Sequence, residues 1–150
     1  MAKDINIKGV NRNSLIHDLR ANELRILLEK LKLGKGFISG FYLRSKMSSG
    51  ISPCSREKDT IPDWICAIKT RAGVKNVALE CELNYKGKRR MEYVFDSYES
   101  KKSIHFVWYV VSKLSFRKKI LDCFESRERT RGDHFCGFRH SMSSFVTSIG

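Results

Sequence analysis

The chain has 150 residues, 41% of them hydrophobic, and a formal net charge of +13 from 29 Lys and Arg against 16 Asp and Glu. This length and composition exclude a disordered chain, and we expect a single domain over 1–150. No apolar run approaches the roughly 18 residues of a spanning helix and no secretory signal is visible, so we expect a cytoplasmic protein with no membrane partner.

The first predicted element is a helix over residues 14–32, because its leucines recur at helical spacing. Asn13 or Ser14 could cap the start of this helix, since both side chains can accept a hydrogen bond from its first turn. Gly34 would end it, because glycine readily adopts the left-handed conformation found after helices.

Three strands are predicted next. An aromatic run over 37–43 predicts the first strand, and the polar stretch over 45–60 predicts one long loop. Apolar runs over 64–69 and 77–85 predict the second and third strands, joined by a turn at 71–73.

The third strand alternates between an apolar face and a polar face, the pattern of a half-buried strand. One face would carry Val77, Leu79, Cys81, Leu83 and Tyr85. The other would carry Ala78, Glu80, Glu82, Asn84 and Lys86. Acidic residues in the middle of a strand need an explanation in a protein that is otherwise basic.

The second half of the chain predicts a helix over 88–101, a strand over 104–111, a helix over 113–126 and a possible last strand near 135–138. Three strands joined by a crossover helix to a buried fourth imply an α/β fold. Its mixed central sheet would have helices on both faces and the third strand in an interior position.

Basic residues cluster in short segments of both halves of the chain, which is typical of a domain that binds a polyanion such as nucleic acid. A solvated basic face without a partner, or a face that meets anionic lipid, is the alternative. The residues expected to bind nucleic acid are Lys86, Lys88, Arg89, Arg90, Lys101, Lys102, Arg117 and Lys118.

Five cysteines at irregular spacings favour reduced thiols over a disulfide framework. Cys66 and Cys81 fall in apolar strand patterns and are expected in the core. Cys136 and His140 are the nearest approach to a zinc motif, but no second close pair of ligands completes it.

Three carboxylates are expected to meet on the second and third strands. Asp63 follows Pro62 at the start of one strand, and Glu80 and Glu82 share a face of the next by the two-residue period. Carboxylates with phosphate and water oxygens suit Mg²⁺ or Mn²⁺, with Asp63 and Glu80 as the expected ligands. Lys86 or Lys88 could stabilise negative charge that develops on a phosphate.

The order α-β-β-β-α-β over roughly 14–111, with Pro62-Asp63 opening one strand and Glu80-x-Glu82 on the next, resembles the PD-(D/E)xK superfamily of restriction-endonuclease-like nucleases. This resemblance implies a restriction-endonuclease-like core and catalytic roles for Asp63, Glu80 and Glu82, with Glu82 as a ligand or a water-orienting base. Lys86 is the fourth residue expected to be catalytic, because of its charge. Glu82 stands where a lysine is usual, although some restriction enzymes of this fold use Glu-x-Glu.

Several short segments are also similar to the plasmid replication-relaxation protein family. They are Ile16-His17-Asp18-Leu19, Ile61-Pro62-Asp63, Ala78 to Leu83, Lys86 to Arg90 and Val107-Trp108-Tyr109-Val110. The resemblance implies a role with a plasmid or mobile element. The winged-helix part usual in that family would be absent or come from a separate DNA-reading subunit, and a homodimer is the other possible assembly.

Each of these motifs also has a structural interpretation. Pro62-Asp63 is a common way to start a strand, and Glu80 and Glu82 could form a solvated face. For His17 a core or capping role is preferred over catalysis, and for Trp64 burial is preferred over stacking on a base. Trp108 and Tyr109 are expected in the core.

The sequence therefore predicts a metal-dependent DNA endonuclease-like domain that acts on phosphodiester bonds. The alternative is a non-catalytic DNA-binding accessory protein of plasmid replication or mobilisation. An interaction domain whose charge meets RNA or a protein is a third hypothesis.

Overall fold

The computed structural model describes residues 12–48 and 60–131. Within these two ranges the chain forms four helices and four strands. In chain order they are α1 (Arg12–Lys30), β1 (Lys35–Ser39), α2 (Gly40–Ser48), β2 (Trp64–Thr70), β3 (Gly73–Glu82), α3 (Lys88–Glu99), β4 (Phe106–Val111) and α4 (Leu114–Arg131).

The four strands form one mixed open sheet in the order β1-β2-β3-β4. β1 and β2 are antiparallel, as are β2 and β3, while β3 and β4 are parallel. The α/β class, the mixed sheet and the interior position of β3 are therefore confirmed. A tight turn joins β2 to β3, where Gly73 has a φ of +98° that favours glycine.

The sheet carries helices on both faces, as predicted. On one face α3 and α4 cover a cluster that includes Ala78, Phe95 and Tyr109. On the other face α1 contributes Leu24 and Leu28 to a second cluster. The alternation of β3 produces this arrangement, because successive side chains point to opposite faces of the sheet.

The predicted alternation of the third strand is correct from Val77 to Glu82, where β3 ends. Beyond that point it is wrong for Tyr85, which packs against the cluster under α3 and α4 instead of joining Val77 on the opposite face. The strand period no longer applies there, because the chain leaves the sheet in a bend at Leu83 and Asn84 before α3 begins.

The prediction of a strand over 37–43 is wrong in its second half, because β1 ends at Ser39 and α2 follows at once. The Ser39 hydroxyl accepts a hydrogen bond from the Tyr42 backbone N–H at 3.2 Å, so Ser39 caps the start of the helix. Aromatic residues favour strands only weakly, and this cap outweighs them. The predicted loop over 45–60 is likewise helical as far as Ser48, and its remainder lies largely outside the described residues.

Helix α1 is confirmed, but only part of its apolar surface meets the core. Ala21, Leu24 and Leu28 are buried. Three other leucines of the helix remain about half exposed, namely Leu15, Leu19 and Leu27, as does Leu31 just after it. Only one stripe of α1 therefore packs on the sheet.

Lys32, and not Gly34, ends α1. Lys32 has a φ of +56°, its N–H donates to the Glu29 carbonyl, and the Leu33 N–H donates to the Leu28 carbonyl. This pair of bonds is a Schellman motif, in which the left-handed position is usually glycine. Gly34 is needed for a different reason, since a Cβ there would lie 2.9 Å from the Phe37 ring and 3.1 Å from Cys66 Sγ.

A glycine at position 32 should therefore stabilise the protein. The left-handed backbone strains a residue that carries a Cβ, so Lys32→Gly is expected to raise the free energy of unfolding by about 0.5–1 kcal/mol. Chemical denaturation measures the change. Lys32→Ala is the control, because it removes the side chain but keeps the strain, and equal stabilisation by both variants would contradict the explanation.

Helix α4 extends past the predicted end at residue 126 to Arg131, and Arg127 gives the physical reason. Its side chain is only 6% exposed and forms ion pairs with Asp96 and Glu99 of α3. A buried guanidinium needs such partners, so the added turn of α4 is held against α3.

Buried Cys66 and Cys81 confirm the expected core positions of these two thiols, and Cys123 is buried as well. The possible strand at 135–138 and the candidate zinc ligands Cys136 and His140 lie outside the described residues. Among the helices described, none is both long enough and apolar enough to span a bilayer.

Candidate active-site cleft

A cleft of about 680 Å³ opens at the end of the sheet where β2 starts and β3 ends. Its walls come from the start of α1, from α2, from the first residues of the range 60–131 and from α3. All four residues predicted to be catalytic line it, namely Asp63, Glu80, Glu82 and Lys86. Other residues in its wall include His17, Arg44, Arg90 and Tyr109.

Asp63 is fixed by the pairing of β2 with β3. Its backbone N–H donates to the Leu79 carbonyl at 3.1 Å, and its Oδ2 accepts a hydrogen bond from the Cys81 N–H at 2.7 Å. The pairing of Trp64 with Leu79 sets this register and brings Asp63 beside Glu80. The carboxylate is therefore held across the hairpin by the backbone of the neighbouring strand.

His17 of α1 reaches the same carboxylate, with Nε2 3.3 Å from Asp63 Oδ2. The hydrogen bond to Asp63 raises the pKa of His17 to about 9, against the opposing effect of burial. An imidazolium is therefore the main form at neutral pH. The sequence favoured a core or capping role for His17. In the structure its side chain lines the cleft and contacts Asp63.

A sequence signal for His17 does exist. His17 precedes Ala21, Leu24 and Leu28 at helical spacing, which places it on the buried stripe of α1. A polar ring at the start of such a stripe has to meet a polar partner, because an unpaired polar group is costly to bury. What the pattern could not supply was the partner, Asp63.

Glu80 lies two residues before the end of β3, where it pairs with Tyr109 of β4 and accepts a hydrogen bond from the Tyr98 hydroxyl of α3. Burial raises the pKa of Glu80 to about 8, and the negative charge of Asp63 adds to that rise. Two carboxyl groups that share a partly buried site repel each other when both are ionised. Glu80 therefore tends to hold its proton in the folded protein.

Glu82 is buried at the end of β3 and pairs with Lys86, whose Nζ lies 3.2 Å from Glu82 Oε1. Burial raises the pKa of Glu82, while the Lys86 ammonium lowers it. Lys86 is itself largely exposed, so its charge is available at the mouth of the cleft as well as to Glu82.

The other predicted nucleic-acid-binding residues are distributed over several surfaces. Arg90 lines the cleft with Lys86. Lys88 lies in a separate, smaller pocket with Lys119, and Lys101 donates to the Thr60 carbonyl. Exposed positions on α3, the turn before β4 and α4 hold Arg89, Lys102, Arg117 and Lys118.

The aromatic residues near the cleft are mainly core residues, as expected. Trp64 packs edge to face on Phe37 with ring centroids 6.4 Å apart, and the Arg25 guanidinium lies 5.5 Å from its ring centre. Trp108 packs against the cluster under α1, and Tyr109 is buried. The Tyr109 hydroxyl has no hydrogen-bond partner among the residues that the structure describes, although it borders the cleft.

The carboxylates of the cleft are hard oxygen donors of the kind that Mg²⁺ and Mn²⁺ accept. Within residues 12–48 and 60–131, no three His, Cys, Asp or Glu side chains are grouped closely enough to hold a metal by themselves. Asp63 and Glu80 are neighbours across β2 and β3, and both face the cleft.

Comparison with known proteins gave no match to a family model, to a curated protein or to a solved structure.

The raised pKa values of Glu80 and His17 predict how the free energy of unfolding depends on pH. Between about pH 4.5 and 8 for Glu80, and between 6.5 and 9 for His17, the folded state holds a proton that the unfolded chain has released. The free energy of unfolding should therefore fall as pH rises through these ranges, by up to about 1.4 kcal/mol per pH unit for each group.

Glu80→Gln should remove the Glu80 part of this slope and leave the His17 part in place. Denaturation curves recorded in EDTA from pH 5 to 9 would measure the difference between variant and wild type. Asn84→Ala is the control, since Asn84 lines the same cleft but has no ionisable group, and we expect no change of slope. A slope between pH 5 and 8 that stays the same in Glu80→Gln would contradict the electrostatic interpretation.

Proposed function

We propose that this chain is a metal-dependent DNA endonuclease-like domain that acts on phosphodiester bonds and has a restriction-endonuclease-like core. One observation carries the proposal: Asp63, Glu80, Glu82 and Lys86 all line one cleft at the end of the β2–β3 hairpin. The basic charge of the chain supports a polyanionic substrate. A link to a plasmid or mobile element rests on the resemblance of the sequence alone.

The donor set fits a divalent cation, because Mg²⁺ is commonly held by one or two carboxylates together with phosphate and water oxygens. Asp63 and Glu80 would hold it, since they are adjacent and one raises the pKa of the other through like charge. When bound, such a cation polarises the phosphate and lowers the pKa of water.

Three further residues of the cleft would have separate roles in the reaction. Glu82 would orient the attacking water and accept its proton, a role that suits a carboxylate whose pKa is raised by burial. Lys86 would stabilise the negative charge that develops on the phosphate. His17 would hold Asp63 in place through the contact between Nε2 and Oδ2.

Position 82 holds a glutamate where the nucleases that the sequence resembles usually have a lysine, but another lysine lies beside it. Lys86 follows the end of β3 and returns an ammonium group to within 3.2 Å of Glu82. A positive charge is therefore present next to the acidic residues although it comes from a later position in the chain. We infer that Lys86 takes over the electrostatic role of the lysine that Glu82 replaces.

Plasmid nicking in Mg²⁺ or Mn²⁺ tests the nuclease proposal. We expect wild type to relax supercoiled DNA, and Asp63→Asn, Glu80→Gln and Lys86→Gln each to lower the rate by about 100-fold or more, because each removes charge at the reacting phosphate. The rates are read from the loss of the supercoiled band on gels.

Lys69→Gln is the control, since Lys69 is an exposed lysine of β2 near the turn to β3 and does not line the cleft. It should retain most of the nicking rate. Supercoiled DNA that survives intact with wild type under all metal and salt conditions would refute the nuclease, and equal activity in Asp63→Asn would assign the nicking to a contaminant.

The second candidate is a non-catalytic DNA-binding accessory protein, and one observation favours it. Each carboxylate already has a protein partner: Asp63 accepts from Cys81 and His17, Glu80 from Tyr98, and Glu82 pairs with Lys86. These contacts would suit a cluster that stabilises the end of the sheet. In this case a separate DNA-reading subunit or a homodimer would be expected.

A DNA-binding assay in EDTA distinguishes the nuclease and the accessory protein, which should both bind DNA, from a domain that has no DNA partner. Lys86→Gln with Arg90→Gln should weaken binding by about three- to tenfold and reduce the salt dependence of the affinity, because two phosphate contacts are lost. Asp63→Asn should bind DNA at least as well as wild type, since it removes a negative charge. Fluorescence anisotropy at several salt concentrations measures both effects, and unchanged affinity in the double variant would exclude the cleft as the binding surface.

A further inference from the structure

The start of helix α2 lies directly against the chain segment before β2 that contains Asp63. The Gly40 N–H donates to the Asp63 carbonyl at 2.8 Å, and a Cβ at position 40 would overlap the carbonyl oxygen of Pro62. Only glycine permits so close an approach. The start of α2 therefore has a defined position relative to the acidic residues of the cleft.

This helix presents two exposed aromatic rings. Phe41 is 79% exposed, the highest value among the large hydrophobic side chains for which exposure is described, and Tyr42 is 52% exposed. Arg44, three residues after Phe41, lines the cleft. Residues three apart are neighbours on a helix surface, so Phe41 occupies a position of α2 that adjoins a cleft-lining arginine.

We propose that α2 is a stacking surface for an unpaired nucleobase, with Phe41 against the face of the base and Arg44 on the adjoining phosphate. The inference rests on the proposed action on nucleic acid and names the substrate class: a single strand, or a duplex with an unpaired segment. Such a surface would recognise bases without regard to sequence, because every base has a π face.

The charge of α2 favours a nucleotide over an apolar protein partner. The segment Gly40–Ser48 contains Arg44 and Lys46 and no acidic residue. The Lys46 ammonium lies 5.5 Å from the centre of the Tyr42 ring, so an aromatic and a cationic group lie side by side on this short helix. Aromatic rings beside cations are the usual composition of surfaces that bind single strands.

The size of the cleft also favours a nucleotide as the ligand. A volume of about 680 Å³ is in the range of pockets that enclose a small organic ligand, which corresponds to roughly one or two nucleotides. A base that has left its stack could place its phosphate in such a space while the ring rests on α2. Unstacking is least costly when the base has no pairing partner.

The test compares the binding of single-stranded, flapped and fully paired oligonucleotides of equal length, in EDTA so that no strand is cut. Phe41→Leu removes the ring but keeps an apolar side chain, whereas Phe41→Trp enlarges the ring. Val74→Ala, which truncates another exposed apolar residue at the far end of the hairpin, is the control. A 2-aminopurine in the unpaired segment reports stacking through the quenching of its fluorescence.

We expect Phe41→Leu to weaken binding of single-stranded and flapped oligonucleotides about five- to tenfold and to relieve the quenching. Phe41→Trp should retain or strengthen both, and binding of the paired duplex should be the same in all variants. Unchanged single-strand affinity in Phe41→Leu, or equal losses on paired and unpaired DNA, would overturn the proposal. A change in the sedimentation of the free protein, with unaltered oligonucleotide binding, would overturn it in favour of a protein contact.

These outcomes are independent of the nuclease proposal. A failure of plasmid nicking together with the expected loss of quenching would refute cleavage and support the stacking surface. Nicking that depends on Asp63, together with equal binding by wild type and Phe41→Leu, would refute the stacking surface alone. If wild type binds no oligonucleotide at all, both the surface and the nucleic-acid partner are excluded.

Discussion

Asp63 is the residue through which the cleft is assembled. Its N–H donates to Leu79 of β3, its carbonyl accepts from Gly40 of α2, and its carboxylate accepts from the Cys81 N–H and contacts His17 of α1. Backbone and side chain thus connect one residue to three neighbouring elements. Because the backbone bonds also define the β2–β3 register, the position of the acidic group cannot change without loss of pairing in the sheet.

The acidic cluster sits in a protein whose overall charge is strongly positive, and this contrast determines its electrostatics. Burial and mutual repulsion raise the pKa of Glu80 to about 8, while the carboxylate of Asp63 holds a proton on His17. Lys86 places a further positive charge beside Glu82. The cleft therefore brings acidic and basic groups together over short distances.

The hydrophobic core and the cleft share residues on the α3 side of the sheet. Tyr98 and Tyr109 belong to the cluster under α3 and α4, yet the Tyr98 hydroxyl donates to Glu80 and the Tyr109 hydroxyl borders the cleft. Packing of their rings fixes where these hydroxyls lie. The Arg127 contacts to Asp96 and Glu99 hold α4 on the same layer, so the base of the cleft rests on a firmly packed part of the fold.

Local patterns in the sequence determined the α/β class, the interior third strand and the two faces of β3, because strand alternation and helical spacing depend on near neighbours. They also brought Asp63, Glu80 and Glu82 into one candidate site, since the period of a strand and the pairing of a hairpin are enough for that. The Ser39 cap could have been found in the sequence as well, but the aromatic run after it favoured a strand.

The tertiary structure alone decided which side chains complete the site. His17 meets Asp63, Lys86 turns back to Glu82, and Lys88 points to a different pocket from Lys86 two residues earlier. These outcomes depend on the docking of α1 and on where the chain leaves β3, which no local pattern encodes. The clefts of a protein are formed between elements that are distant in the chain, so their composition follows from packing and not from sequence spacing.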